Sequence, residues 1–272
     1  MATTLADIVA VSEKLWPSSG AEDWDAVGLV SGDPAAEVTS IRLAVDAVLD
    51  TVDEAIAESA GLLLTHHPLL LRGVTTVAEN RYKGAVLARL IRGSCALLAV
   101  HTNADVVETG TSATLAARLG LSNVRPLVAG DTAERGIGRT GTLRTPTTLG
   151  RLARQLADIL PPTAGGIRGA GEYDAPVSTV ALCAGAGDAF LGLPEVLAAD
   201  VYITSDLRHH PASEFRENAR VGAGPGLLDV SHWASEWLWL DTAAEQLRVA
   251  LPGVTVTVSE LRTDPWDFLV VQ

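Results

Sequence analysis

The segment LLLTHHPLLL, residues 62–71, constrains the fold more than any other stretch of this 272-residue chain. The apolar run from Gly61 to Thr65 reads as a short buried strand. Pro68 lacks a backbone donor and cannot continue a ladder, so His66 and His67 are expected at the strand's carboxyl end. In α/β proteins that edge is where ligands bind. Two adjacent imidazoles placed there suit a metal ion; they equally suit the capping of a core strand, with both rings satisfied by backbone carbonyls.

A second segment, VSHWASEWLWLDTAAEQLRVAL, carries Trp233, Trp237, Leu240, Ala244, Leu247 and Leu251 at helical spacing, which predicts a helix with a buried stripe. His232 and Glu236 lie beside that stripe, four residues apart, and so project from one face one turn apart. That arrangement lets an imidazole and a carboxylate share a cation, and it is also an ordinary hydrogen-bonded pair on a solvated face. Ser231 is the expected N-cap. A helix N-terminus disfavours a protonated histidine, so His232 is expected to be neutral, with a lone pair for metal.

The third segment, CALLAVHTNADVVETG, runs from an apolar strand into His101, Thr102, Asn103 and Asp105. An aspartate can bridge two cations through its two oxygens while each histidine binds one. Asp105 and Glu236 with His66, His67 and His232 could therefore make a two-metal set. Asp105 and His101 could instead shape the turn before a helix starting near Thr111. The chain also looks internally repeated. IRLAVDA, TVDEAIAES, GLLLTHHP and CALLAVHTNAD are answered by STVALCAG, AFLGLPEVLAA, DVYITSDLRHHP and GLLDVSHWASE, with Thr65 matching Thr204 and His101 roughly matching His232. The fold expected is α/β, in two similar α/β halves with a metal site in the cleft between them.

Taken in order, DWDAVGLVSGDP, LLLTHHPLLL, AVHTNAD, DVYITSDLRHH and DVSHWASE resemble the successive motifs of the NIF-three-like family, whose members are catalogued as dinuclear metal-centre hexameric proteins or GTP cyclohydrolase I type 2 homologs. The resemblance runs from Trp24 to the TDPW at Thr263 to Trp266. It implies metal ligation by His66 and His67 of the THHP motif, by Asp105 closing HTN-x-D, and by the His232 and Glu236 pair. It places His101 beside the ligands and not among them, and it implies a homohexamer. The chain departs from the family at Ser205, where glycine is usual, and at Ser231, where glycine commonly precedes the histidine.

Length and the repeat favour two α/β halves, residues 1–129 and 130–272, joined near Gly130 to Gly141. Longer family members carry an extra domain between the halves. Asp+Glu 33 against Lys+Arg 20 gives a formal charge of −13, which opposes direct nucleic-acid binding, and Lys14 and Lys83 are the only lysines. The amino terminus has no basic stretch and no apolar run approaches ~20 residues, so neither secretion nor membrane spanning is expected. Cys95 and Cys183 read as reduced core residues of a cytoplasmic protein. His209 and His210 are expected at a polar rim, Asp206 as a group that orients a ligand or meets substrate, and Trp24, Asp25 and Gly28 as a structural turn, with lining of the pocket as the alternative. Gly185 and Gly187 are only a weak match to a phosphate-cradling loop.

Three histidines and two carboxylates are compatible with two zinc, iron or manganese ions. Two cations can activate water for hydrolysis of a nucleotide or related small molecule. The family label suggests opening of the GTP imidazole ring. The alternative is a non-catalytic metal-binding scaffold or metal-handling partner using the same ligands.

Overall fold

The computed structural model describes residues 2–222 and 224–271. In chain order its helices are α1 (Leu5–Leu15), α2 (Leu49–Ala57), α3 (Tyr82–Arg92), α4 (Thr102–Asp105), α5 (Thr111–Arg118), α6 (Leu149–Ile159), α7 (Pro194–Leu197), α8 (His209–Gly222) and α9 (His232–Ala250). Its strands are β1 (Gly28–Ser31), β2 (Ser40–Ala44), β3 (Leu62–Thr65), β4 (Ala96–Ala99), β5 (Leu121–Arg125), β6 (Val128–Ala129), β7 (Gly136–Ile137), β8 (Arg139–Thr148), β9 (Arg168–Ala170), β10 (Pro176–Ala186), β11 (Val201–Ser205), β12 (Gly226–Asp229) and β13 (Thr255–Val258). The fold class is α/β, as expected.

Two compact units account for the chain. One comprises the residues up to Ala104 together with Leu240–Thr263, the other Asp105–Trp239 together with the residues from Asp264. The first unit holds a five-stranded sheet of order β1-β4-β3-β2-β13. Strands β13, β2, β3 and β4 are parallel neighbours and β1 is antiparallel to β4. Every residue of β3 and β4 is buried, as expected where a parallel sheet is covered on both faces. Val52 and Ala55 of α2 and Val86 and Leu90 of α3 pack with Leu63 and Leu97 in the core on one side of this sheet. Helix α1 starts at a capping box in which Thr4 and Asp7 satisfy each other's backbone donors.

The second unit holds a six-stranded sheet of order β5-β8-β10-β11-β12-β9. Here β10, β11 and β12 are parallel, while β8, β5 and β9 run antiparallel to their neighbours. Val196, Tyr202, Phe215 and Leu227 pack with Ala181 and Cys183 in its core. The segment expected as a join, Gly130 to Gly141, lies within this unit and contains β7 of the β6-β7 hairpin. Residues 121–125 belong to the second sheet and residues 255–258 to the first.

Parallel pairing sets the positions that matter for chemistry. Thr65 is in register with Ala44 on one side and Ala99 on the other. The ladder then runs one step further, through His66 N to Ala44 O, His67 N to Val45 O and Val100 N to Thr65 O. His66, His67 and His101 therefore follow adjacent strands at one sheet edge. In the second sheet Thr204 is in register with Asp229, and Val230 N donates to Thr204 O. Asp206 and Ser231 follow from there.

Candidate metal centre

Within the first unit the structure brings three imidazoles together. One ligand atom from each of His66, His67 and His101 lies within 4.8 Å of the other two. The ring centroids are 5.1 Å apart for His66 and His67, 5.2 Å for His66 and His101 and 5.4 Å for His67 and His101. Each ring has an oxygen acceptor at Nδ1: Val100 O at 2.9 Å for His66, Asp46 Oδ1 at 2.7 Å for His67 and Asp25 Oδ1 at 2.9 Å for His101. A carbonyl can only accept, so the His66 Nδ1 carries a proton, and the neutral form of the ring has its lone pair on Nε2. Carboxylate partners favour the same tautomer in the other two rings, which is how metal-binding histidines are usually oriented. The sequence-based expectation of His66 and His67 side by side at a strand end holds, and the alternative of backbone capping accounts for one nitrogen of His66.

The carboxylates behind these rings were not recognised in the sequence as their partners. Asp46 lies just beyond β2 and also accepts from Thr263 Oγ1 at 2.5 Å. Asp25, read above as part of a structural turn, accepts from His101 and from both Thr102 N, at 3.0 Å, and Thr102 Oγ1. Burial opposes ionisation of Asp25, but the bonds from His101 and Thr102 outweigh it and hold its carboxyl well below the usual range.

Within the second unit, α9 places His232 and Glu236 as the spacing predicts, with His232 Nε2 3.0 Å from Glu236 Oε1. Ser231 Oγ accepts from Ala234 N at 3.2 Å in the manner of an N-cap and donates to Asp264 Oδ2 at 2.5 Å. His232 Nδ1 faces Asp206 Oδ2 at 2.8 Å. Burial disfavours the imidazolium, but Glu236 and Asp206 outweigh it and raise the His232 pKa well above its ordinary value. A helix end contributes only partial charges, whereas two carboxylates within hydrogen-bonding distance contribute whole ones, so without a metal they favour the charged ring over the neutral His232 expected from the helix end. A divalent cation competes with that proton for the same lone pair.

Asp206 reaches His232 from a left-handed backbone, φ 59°, immediately after β11. Gly185, in β10 at φ 72°, leaves the room that Glu236 occupies, since a Cβ there would lie 2.3 Å from Glu236 Oε1 and 3.3 Å from His232 Nε2. A Cβ on Gly187 would meet Thr204 Oγ1 at 2.3 Å and Tyr202 Oη at 2.4 Å. Both glycines are thus required by close packing, with no need of a phosphate.

Asp105 ends α4, half-buried, and its Oδ1 accepts from Thr111 Oγ1 at 2.5 Å. The chain after it is anchored by buried Arg139, whose guanidinium donates to Val107 O at 2.8 Å and to Gly136 O and Gly138 O at 2.7 Å. Burial raises the pKa of Cys183, and the charges of Asp105 and Glu236 add to it. His209 and His210 open α8, exposed, with ring centroids 5.3 Å apart. They are not part of the imidazole cluster of His66, His67 and His101.

An α/β chain with convergent imidazoles and carboxylates beyond the carboxyl ends of parallel strands falls in the class of candidate metal-binding α/β proteins. Its donor set of imidazoles and carboxylates suits a borderline divalent cation. The chain belongs to the Duf34/NIF3 (NGG1p interacting factor 3) family, whose model matches residues 3–265. It is 45% identical over 269 residues to a Streptomyces coelicolor protein named GTP cyclohydrolase 1 type 2 homolog, covering 96% of this chain and 93% of that one. A Mycobacterium tuberculosis protein of the same name is 35% identical, covering 98% of this chain and 97% of its own length. Among solved structures, a hypothetical protein of Staphylococcus aureus, SA1388, superposes with a TM-score of 0.89 at 25% identity, covering 99% and 100% of the two chains. A Bacillus cereus protein related to NIF3 shares the fold, with a TM-score of 0.87 at 20% identity over 98% of this chain and 99% of that one. Among the described residues no helix is long and apolar enough to cross a membrane.

Proposed function

We propose that the protein is a cytoplasmic, metal-dependent hydrolase of a nucleotide or related small molecule, with His66, His67, Asp105, His232 and Glu236 as ligands to two divalent cations. The observation that carries this reading is the orientation of the rings. His66 and His67 have Nδ1 engaged by Val100 O and by Asp46, so that Nε2 is the nitrogen that would coordinate a cation, and His232 is held through Nδ1 by Asp206. When bound, two cations would supply Lewis acidity and a means of activating water near neutral pH. The residues of the chain hold the donors. Asp46 and Asp206 fix their imidazoles, Gly185 makes room for Glu236, and Arg139 with Thr111 anchors the segment carrying Asp105. The names of the Streptomyces and Mycobacterium relatives support a purine nucleotide as substrate and ring opening as the hydrolytic step. A homohexamer is proposed on family resemblance alone.

The test is a screen of nucleotides and simple phosphoesters against the purified protein loaded with zinc, iron or manganese, with and without chelator. Turnover that chelator abolishes and added metal restores supports the hydrolase. Tightly bound metal with no turnover on any substrate contradicts it and favours a scaffold or metal-handling role.

A further inference from the structure

Trp24 is 59% exposed, yet it sits against the imidazole cluster of the first unit, its ring centroid 5.9 Å from that of His101 with the two planes at 78°. Its backbone is held on both sides. Asp25 N donates to Glu22 O at 2.9 Å, Glu22 N donates to Thr102 Oγ1 at 3.0 Å, and the Asp25 carboxylate takes bonds from Ala26 N, Thr102 and His101. The turn is therefore tied at several points to α4 and to the cluster, and the indole is presented from a fixed base. A turn already ordered in this way leaves less conformational entropy for a ligand to remove on binding.

We infer that Trp24 is a stacking platform for a planar heteroaromatic ring of the substrate, an inference that rests on the hydrolase reading above. Such a ring is apolar on its faces and polar at its edges. That matches a largely exposed indole beside imidazoles and a carboxylate, and an indole stacks any heterocycle through its π-face. The net charge of −13 disfavours a nucleic-acid strand, so the ring belongs to a mononucleotide or a free heterocycle.

The test is calorimetric titration of guanosine 5′-monophosphate into the metal-loaded native protein, Trp24→Ala and Trp24→Phe, with light scattering and metal content measured on the same preparations. Ribose 5-phosphate serves as the probe lacking the ring. Trp24→Ala is expected to weaken the nucleotide about tenfold or more, and Trp24→Phe by no more than about threefold. Metal content should be unchanged, and ribose 5-phosphate should be bound alike by all three. Equal nucleotide binding by all three proteins, or none by the native chain, overturns the inference. So does an affinity loss that merely follows dissociation of an oligomer in both variants, which would make Trp24 a contact between copies. Chelator-sensitive turnover in the nucleotide and phosphoester screen, assayed separately on the native protein, decides the hydrolase reading whichever way Trp24 falls.

Discussion

Gly185 and Glu236 share a space that only one of them can fill: a Cβ on Gly185 would stand 2.3 Å from the Glu236 Oε1. Gly185→Ala therefore meets a left-handed backbone and a buried carboxylate at once. The backbone alone should cost about 1–2 kcal/mol. Displacement of Glu236 should lower metal affinity as well. Thermal unfolding and metal titration of the variant check the two effects separately; a variant with native affinity would show that Glu236 does not need its present position.

Asp46 is joined to His67 Nδ1 at 2.7 Å and steadied by Thr263 Oγ1. Asp46→Ala should weaken metal binding roughly 10–100-fold, the usual effect of removing the partner of a ligating histidine. Asp46→Asn keeps an oxygen acceptor for the ring and should recover part of the loss. Competition with a chromophoric chelator measures both. Native affinity in Asp46→Ala would remove Asp46 from any role in orienting His67.

Much of this site was legible in sequence because its signals are local. An apolar run stopped by His66, His67 and Pro68 marks a strand end, and a four-residue spacing puts His232 and Glu236 on one helix face. What the sequence hid was contact at long range. Asp46 lies 21 residues from His67 and Asp25 lies 76 from His101, separations that no periodicity reports. Asp206, the second carboxylate beside His232, is hidden for the same reason, since it lies 26 residues away. Strand β13 pairs with β2 in register from Thr255 and Ser40, so neighbours in the first sheet come from opposite ends of the chain. The antiparallel strands β5, β8 and β9 lack a sustained apolar run and went unread; β5 has a single buried position, Leu121.

Cys95 is 3% exposed, and burial pushes its thiol up to about 11. Cys183 is also buried and raised. A thiol whose folded pKa is raised stabilises the fold fully below the unfolded value, about 8.5, and that contribution is lost as pH rises toward 11. The folded protein at pH 8 should therefore show no thiol reacting rapidly with an alkylating reagent, and both should react in denaturant. Replacing Cys95 by alanine should flatten the fall in stability between pH 8.5 and 11. A fast-reacting thiol in the folded protein would contradict the burial and raised pKa of these two residues.

The proposed ligand set is tested most directly by metal analysis after exhaustive dialysis, comparing the native protein with His66→Ala/Glu236→Ala. Native protein is expected to keep two equivalents of divalent metal. The double variant should lose metal and remain folded by circular dichroism, because the cores around Leu63 and Tyr202 contain neither residue. A folded double variant that still retains two equivalents would contradict the ligand assignment.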